Sequence, residues 1–530
     1  MQPASLTAPS VADNERWPGR RWWWLIAAVC ALMAAWSGQL VTGDSIKGDA
    51  TQNLRIAYNL FHHGSFALGA PGTPGALDAP TSFREPVPPA FVATYLKLVL
   101  PANATDFDAW HYGPYARLIK LGNLAWVFAG LLGFWALSAR VLRHPGWVAL
   151  ALMLAYTYFF HNPNTVNSLY TELHAGVLLI WACALLLLTL DTRHMKHALL
   201  AGAVMGLLCL TKSVYQGAVP LTVLLVFAAC GLVPRRGTDR REIVRLGGAM
   251  LLAFALVITP WIVRNQVQLN STEVSAGRSG YVMFKRSLMD QMNPTEFRLG
   301  FDLYGPDAYR AWVKDTPWGM VLPDDGMKGG RLQRMNPYKS DFQEEDNRSI
   351  ALGRPDLSLT FYRKPAALYQ QLRQSLADAR VPHPELVADR IMQRQALAGM
   401  LSHPLDHARV SLLLFWRGFW WAPRHIPGPV PGAPDLHMGF NQWVNLLAGA
   451  ALFAALGVAL LKRHAAWLAV SALPAVTMLI HATLTHGLPR FSVPAVPLML
   501  LSLVGAFRFT SRPWLRRLRI GSAGSSAATS

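Results

Sequence analysis

Acidic residues and cysteines are both scarce in this chain. Of its 530 residues only 4 are Cys, and Cys30, Cys183, Cys209 and Cys230 all lie in apolar stretches. They read as small packing residues, and neither a disulfide framework nor a zinc site has support. Charged residues make up 15% of the chain and hydrophobic ones 52%, whereas an ordinary soluble domain carries about 25% charged residues. That balance excludes a single soluble globule. Acid is the scarcer sign: 30 Asp and Glu against 49 Lys and Arg leave a net charge of +19. Such an excess raises nucleic-acid binding as a class. The bases are dispersed at the ends of apolar runs and do not gather on one polar face, which argues for membrane edges and against nucleic acid.

A membrane-crossing helix needs about 20 apolar residues in a row, because hydrocarbon tolerates only a closed backbone hydrogen-bond ladder. By that criterion the chain predicts about ten spans: Trp22–Leu40, Leu118–Leu137, Gly146–Phe160, Leu173–Leu190, Ala198–Leu210, Val214–Val233, Leu246–Val263, Trp443–Leu461, Ala466–Ile480 and Phe491–Phe507. The fifth is short, so the fifth and sixth read equally well as one bent hairpin that does not fully cross. Bases cluster at alternate ends: Arg16 to Arg21, Arg140 and Arg143, Arg193 and Lys196, Arg235 to Arg245, Lys462 and Arg463, and the tail after Phe507. The expectation is an all-α polytopic protein of a bacterial inner membrane, with both termini cytoplasmic. Trp22 follows Arg20 and Arg21 directly with no small-residue cleavage site after the run, so the first span reads as a retained anchor.

This topology divides the chain into a cytoplasmic tail (1–21), a membrane module (22–263) with an outer loop (41–117), an outer segment (264–442), closing spans (443–507) and a basic cytoplasmic tail (508–530). Loops this long usually carry function. In the first, Asp49 can cap a helix running to His63, with Leu54, Ala57, Tyr58 and Phe61 on one side and Gln52, Asn53, Arg55 and Asn59 on the other. A turn-rich stretch, 69–80, follows, and Pro88-Pro89 opens a second helix to Leu100. Both helices are expected to lie in the membrane interface. In the second outer segment, 293–355 shows no clean periodicity, whereas 366–380 and 384–401 have helical spacing. A small, mainly helical outer domain is the expectation, with Val410 to Trp421 as an interfacial helix or, as the alternative, a partly inserted one.

Residues that carry chemistry gather at the outer ends. Asp49 is the acid placed just beyond the first span. Asp106 and Asp108 form a D-x-D pair, a weak candidate for a divalent metal, since oxygen cages need more donors than two. Glu172, Lys212, Arg264 and Arg490 mark the outer ends of separate spans. Each alone is an ordinary snorkelling anchor; convergent, they suit a phosphate, Arg by bidentate contact and Lys as a point charge. His403 and His407 are read as structural, because Pro404 intervenes and no third ligand follows.

Several motifs resemble a known family. Asp49-x8-Tyr58, the loop Phe83-Arg84-Glu85-Pro86-Val87-Pro88-Pro89, Thr171-Glu172-Leu173, Leu210-Thr211-Lys212, Pro260-Trp261-x2-Arg264-Asn265, and Leu488-Pro489-Arg490-Phe491 occur in the order found in membrane glycosyltransferases of the C-type fold. That group includes bacterial protein mannosyltransferases and aminoarabinose transferases. Residues 270–380 match no segment of it. Where the aminoarabinose branch has Lys before the loop proline, this chain has Glu85, with Arg84 one residue earlier. The resemblance implies a polyprenyl-phosphate-linked sugar donor, a glycan, lipid or protein acceptor, and transfer at the outer (periplasmic) face with inversion. It implies Asp49 as catalytic acid group, with Lys212, Arg264, Arg490 and Arg84 on phosphate and Glu172 and Glu85 in support. No cofactor is required by such a scheme, though a divalent metal is compatible with it. A transporter or flippase of lipid-linked sugars, and an outer-face polysaccharide ligase or polymerase, are the alternatives.

Overall fold

The computed structural model describes residues 20–70, 77, 80–101, 105–231, 239–316, 333–335, 342–420, 425–426 and 436–525. The tail up to 19, most of the turn-rich stretch 69–80, part of the Arg235 to Arg245 run and the last five residues lie outside them. The described chain is helical apart from one two-residue antiparallel pair, β1 (His425–Ile426) with β2 (Leu436–His437).

The chain opens with α1 (Arg20–Ser37), then α2 (Asp49–His63), α3 (Val87–Val99), the single turn α4 (Phe107–Trp110), α5 (Gly113–Leu121), α6 (Asn123–Leu142) and α7 (Pro145–Ala155). A π-helical turn, Tyr156–Phe160, extends α7. It is followed by α8 (Pro163–Val166), α9 (Glu172–Thr192), α10 (Met195–Cys209), α11 (Tyr215–Gly231) and α12 (Arg240–Leu269). The polar domain holds α13 (Ser279–Met289), α14 (Pro294–Tyr304), α15 (Asp307–Val313), α16 (Phe342–Ala351), α17 (Arg363–Asp378), α18 (Pro384–Ser402) and α19 (Pro404–Gly418). Three helices close the chain: α20 (Met438–Lys462), α21 (Ala465–Leu484) and α22 (Val496–Ser525).

Seven helical segments among the described residues are long and apolar enough to cross a membrane: Trp22–Leu40, Gly113–Leu142, Glu172–Thr192, Arg240–Leu269, Asn441–Lys462, Ala465–Leu484 and Pro489–Thr510. The other three expected spans appear as the shorter apolar helices Pro145–Phe160, Met195–Cys209 and Tyr215–Gly231. The protein is a multi-pass membrane protein, and the expected ten spans become seven of full length with three short ones. The α9 helix is the hub, enclosed along nearly its whole length and in contact with α6, α10 and α21. Peripheral helices turn Trp22, Trp24, Leu32, Leu221, Leu224, Leu252 and Leu256 outward, as lipid-facing surfaces do. Cys30, Cys183 and Cys209 are buried packers.

The α10 and α12 helices touch closely because Gly202 and Gly206 leave room. A Cβ at Gly202 would come within 2.1 Å of the Met250 carbonyl oxygen, and one at Gly206 within 2.6 Å of Val257. This small-x3-small spacing lets backbones meet where packing drives association in lipid.

The structure changes the expected account of the first loop. Asp49 is the first residue of α2 and not its cap; Gly48, at φ +62, holds that place. The supposed polar face is inside: Asn53 donates to the Leu169 carbonyl (2.9 Å), and Asn59 to the Ala67 and Gly69 carbonyls (2.8 and 3.1 Å). Loop carbonyls need donors once buried, and these asparagines supply them. The α2 and α3 helices pack on each other through Leu54, Tyr58, Val92 and Leu96, with Trp110 beneath.

The polar domain has more order than periodicity indicates. Within 293–355, Asn293 and Glu296 form a reciprocal capping box that starts α14. The domain's core joins Met289, Leu299, Met335 and Phe361 to Val410, Leu413 and Leu414. That last group belongs to α19, so Val410 to Gly418 is packed helix against α14 and α21 and not a free interfacial one.

Candidate active site

Backbone geometry sets the acid in place. Gly48 combines φ +62 with ψ −133, a conformation that only glycine adopts without strain. The chain thereby turns sharply into α2 and leaves Asp49 and Gln52 one turn apart on the same face.

The loop that delivers Arg84 is clamped from three directions. Arg264 donates to the Thr81 carbonyl at 2.7 Å, Ala276 N–H to the Ser82 carbonyl at 3.1 Å, and Ser275 Oγ to the Phe83 carbonyl at 3.2 Å. Beyond it, Val87 N–H reaches the Leu210 carbonyl at 3.1 Å, and the Glu85 carboxylate accepts from Ser213 N–H at 3.0 Å. Arg84 emerges almost wholly buried. Its Nη2 donates to Asp49 Oδ1 at 2.6 Å and its Nε to Gln52 Oε1 at 2.7 Å.

Arg490 arrives from the turn between α21 and α22 and donates to the other carboxylate oxygen, Asp49 Oδ2, also at 2.6 Å. Asp49 is thus held between two guanidinium groups drawn from positions 35 and 441 residues away. Burial alone pushes its pKa up, but the charges of Arg84, Arg490 and Arg278 and the hydrogen bond from Arg84 outweigh it and hold the carboxyl at about 2. Arg490 also lies over the Tyr170 ring (5.4 Å) and near Phe491 (5.9 Å). Lys212 Nζ also lies near Phe491, 5.5 Å from the ring centre, and 3.4 Å from Glu172 Oε1. A cleft of about 400 Å³ lined by Asn164, Asn167, Ser168, Tyr170, Glu172 and Arg490 opens here. Glu172 Oε2 and Arg490 Nε are enclosed without a hydrogen-bond partner among the described residues. Unmet polar atoms beside an opening mark a place where a polar ligand would be held.

The expected residues therefore divide. Asp49, Arg84 and Arg490 meet directly, and Lys212 and Glu172 join them around Phe491. Arg264 is engaged elsewhere: it holds Thr81, donates to Asn265 Oδ1 (2.9 Å) and stacks on Trp261 (4.8 Å). Glu85 braces the α10–α11 turn. Asp106 caps α4 by accepting from the N–H groups of Asp108 and Ala109 (3.0 and 3.4 Å). Its neighbour Thr105 is bonded by Tyr58, which lies nine residues, or about 13 Å, along α2 from Asp49. Among the described residues no three of His, Cys, Asp and Glu gather as a metal-ligand set. Two guanidinium groups on Asp49 are also poor company for a cation.

One member of the centre has no counterpart in the sequence reading. Arg278 precedes α13, rests on the Phe83 ring at 5.2 Å and faces Asp49, Arg84, Glu85 and Arg490. Its guanidinium makes no hydrogen bond to any described residue. Asp389 of α18 fixes the helix behind it, accepting from Gly280 and Tyr281 N–H at 2.9 and 2.8 Å. A Cβ at Gly280 would fall 1.8 Å from the Asp389 carbonyl oxygen, so glycine permits that contact.

Comparisons with known proteins give only distant likenesses. No family model matches the chain, and no curated protein matches it. An archaeal oligosaccharyltransferase from Archaeoglobus fulgidus, solved with an inhibitory peptide and a dolichol-phosphate, is similar at 14% identity over 96% of this chain and 52% of that one, with a TM-score of 0.45. The aminoarabinose transferase ArnT from Cupriavidus metallidurans, bound to undecaprenyl phosphate, is similar at 14% identity over 93% and 79%, with a TM-score of 0.34. The arabinosyltransferase EmbB from Mycobacterium smegmatis is similar at 14% identity over 95% and 43%, with a TM-score of 0.32. The chain spans about half the length of the oligosaccharyltransferase it resembles.

Proposed function

We propose that the protein is a glycosyltransferase that moves a sugar from a polyprenyl-phosphate donor to an acceptor hydroxyl at the outer face of a bacterial inner membrane, with inversion. The observation that carries this reading is the Asp49 carboxylate held at 2.6 Å by both Arg84 and Arg490, beside Lys212 and an open cleft. Alternation of basic residues along the spans supports cytoplasmic termini, which puts this end of the bundle outside.

The charge arrangement supplies a mechanism. A phosphate diester presents the same pair of oxygens that Asp49 now offers, and its arrival competes for the two arginines. As they turn to phosphate, Asp49 loses the interactions that depress its pKa and becomes a better proton acceptor. The acceptor oxygen then forms its bond to the anomeric carbon from the face opposite the leaving group. The bond from that carbon to the phosphate oxygen breaks, its electron pair leaves with the polyprenyl phosphate, and the hydroxyl proton passes to Asp49. Arg84, Arg490, Arg278 and Lys212 stabilise the phosphate charge as it develops. Glu172 keeps Lys212 pointed at the cleft. A long isoprenoid gains about 0.8 kcal/mol per buried CH2, so the bilayer contributes much of the donor affinity. No step needs a divalent metal.

Purified protein in detergent, given radiolabelled polyprenyl-phosphate sugars and envelope extract as acceptor, should transfer label, and Asp49→Asn should not. Movement of intact donor across vesicles without bond cleavage would instead make the protein a transporter.

A further inference from the structure

Away from Asp49, the polar domain encloses a second group of positive side chains with no acid paired to them among the described residues. Lys285 lies two turns along α13 from Arg278, on the same face. It is only 9% exposed, and its ammonium rests over the rings of Tyr281 (4.5 Å) and Tyr362 (5.3 Å). Among the described residues it has no hydrogen-bond acceptor and no carboxylate partner. Among the described residues Arg417 of α19 donates only to neutral oxygens, Tyr362 Oη at 2.9 Å and the His486 carbonyl at 3.0 Å. His486 is likewise 9% exposed, and its Nδ1 is enclosed without a hydrogen-bond partner among the described residues. Lys285, Arg417 and Arg490 all act electrostatically on that imidazole and hold its pKa far down, after burial. The next acid along α13, Asp290, is committed to Arg286 and His407.

Burying one cation without a counter-charge is unfavourable, and gathering two beside a histidine adds mutual repulsion. Aromatic faces compensate in part. Burial lowers the Lys285 ammonium to about 8, which still leaves it charged at neutral pH. An assembly of this kind is stabilised by an anion from outside the chain. Lysine offers a point charge and arginine a planar fork, while tyrosine rings offer faces to a sugar. Its position is informative too. His486 precedes Arg490 by four residues, and seven residues of α13 separate Lys285 from Arg278 by about 10 Å. That distance is of the order of one or two sugar rings.

We propose that Lys285, Arg417 and His486 form an anion subsite that takes a carboxylate or phosphate carried on the acceptor, about 10 Å from the Arg278 end of the centre. The assignment to an acceptor rests on the glycosyl-transfer reading; the anion site itself does not.

Binding tests the site independently of transfer. Full-length protein in detergent is titrated calorimetrically with sodium phosphate and with glucuronate, in an Arg84→Gln background that weakens the anion clamp around Asp49. Saturable binding of at least one probe is expected, weakened about tenfold or more by Lys285→Gln and by Arg417→Gln and recovered in Lys285→Arg. The preferred probe tells carboxylate from phosphate. Binding of neither probe, or binding unchanged by Lys285→Gln, overturns the proposal. Lys285→Met guards against a folding artefact: a cooperative heat-denaturation transition shows that the fold survives without the ammonium, and a folded Lys285→Met protein that binds the probe as tightly as its background also overturns the proposal. If anion binding behaves as expected while no sugar is transferred, the anion subsite stands and the glycosyltransferase reading falls.

Discussion

The protein contains two arginine–aspartate centres of opposite character. In the polar domain, Arg286 is fully enclosed and every contact is met: Asp290, the His407 carbonyl at 2.9 Å, Ser411 Oγ at 2.8 Å and the Ala482 carbonyl at 3.4 Å. His407 Nδ1 completes it, 3.0 Å from the second Asp290 oxygen. At the bundle end, Asp49 keeps 31% of its side chain exposed, Arg490 35%, and polar atoms around them remain unmatched. A saturated, dry network ties α13, α19 and α21 into one body. An unsaturated, wet one is free to exchange partners. The same two residue types therefore meet every contact in one place and leave polar atoms open in the other, and the number of unmet atoms tells them apart.

Substitutions that reverse this ranking would break the contrast. The largest expected effect is on transfer: Asp49→Asn should lower kcat by about 10²- to 10⁴-fold while lowering the heat-denaturation midpoint less than Asp290→Ala does, because Asp49 is the more exposed of the two acids. Asp290→Ala should do the opposite, destabilising by about 3–5 kcal/mol because it strands a buried Arg286, as measured by loss of folded protein on heating. Next in size, Arg490→Gln should reduce transfer about 10²- to 10³-fold, read from initial rates with donor saturating. A pH titration sharpens the contrast further. Because the Asp49 pKa is depressed to about 2, its ion pairs contribute fully above the unfolded value of about 3.9 and are lost as pH falls toward about 2. An infrared carboxylate band that disappears in Asp49→Asn should persist at pH 4; its loss above that pH would contradict the pairing. The smallest expected effect is that of a chelator, which should leave transfer unchanged.

Much of this centre is visible in the sequence because charge is so rare there. In a chain with few acids, Asp49 stands out just past an apolar run, and Arg84, Glu172, Lys212 and Arg490 stand out at the ends of others. Their mutual contacts are not visible, since nothing local relates position 49 to 490. Arg264 misleads for the same reason: a cation at a span end reads alike whether it faces a ligand or the Thr81 carbonyl. Arg278 sits in a polar stretch where bases are ordinary, and only the packing of α13 on α18 turns it toward Asp49. The short helices α10 and α11 have enough apolarity to count as spans and too little length. Two further signals lie in the sequence itself, the Asn293-x2-Glu296 box that begins α14 and the Gly202-x3-Gly206 spacing at the α10–α12 contact.

The reach from Asp49 to Arg490 also bears on how the molecule comes into being. Membrane proteins are threaded into the bilayer in order of synthesis, and the second arginine of this clamp belongs to the turn before the final helix. A nascent chain stalled before Arg490 lacks it, so the Asp49 carboxylate keeps Arg84 as its one hydrogen-bonded guanidinium until that turn has been made.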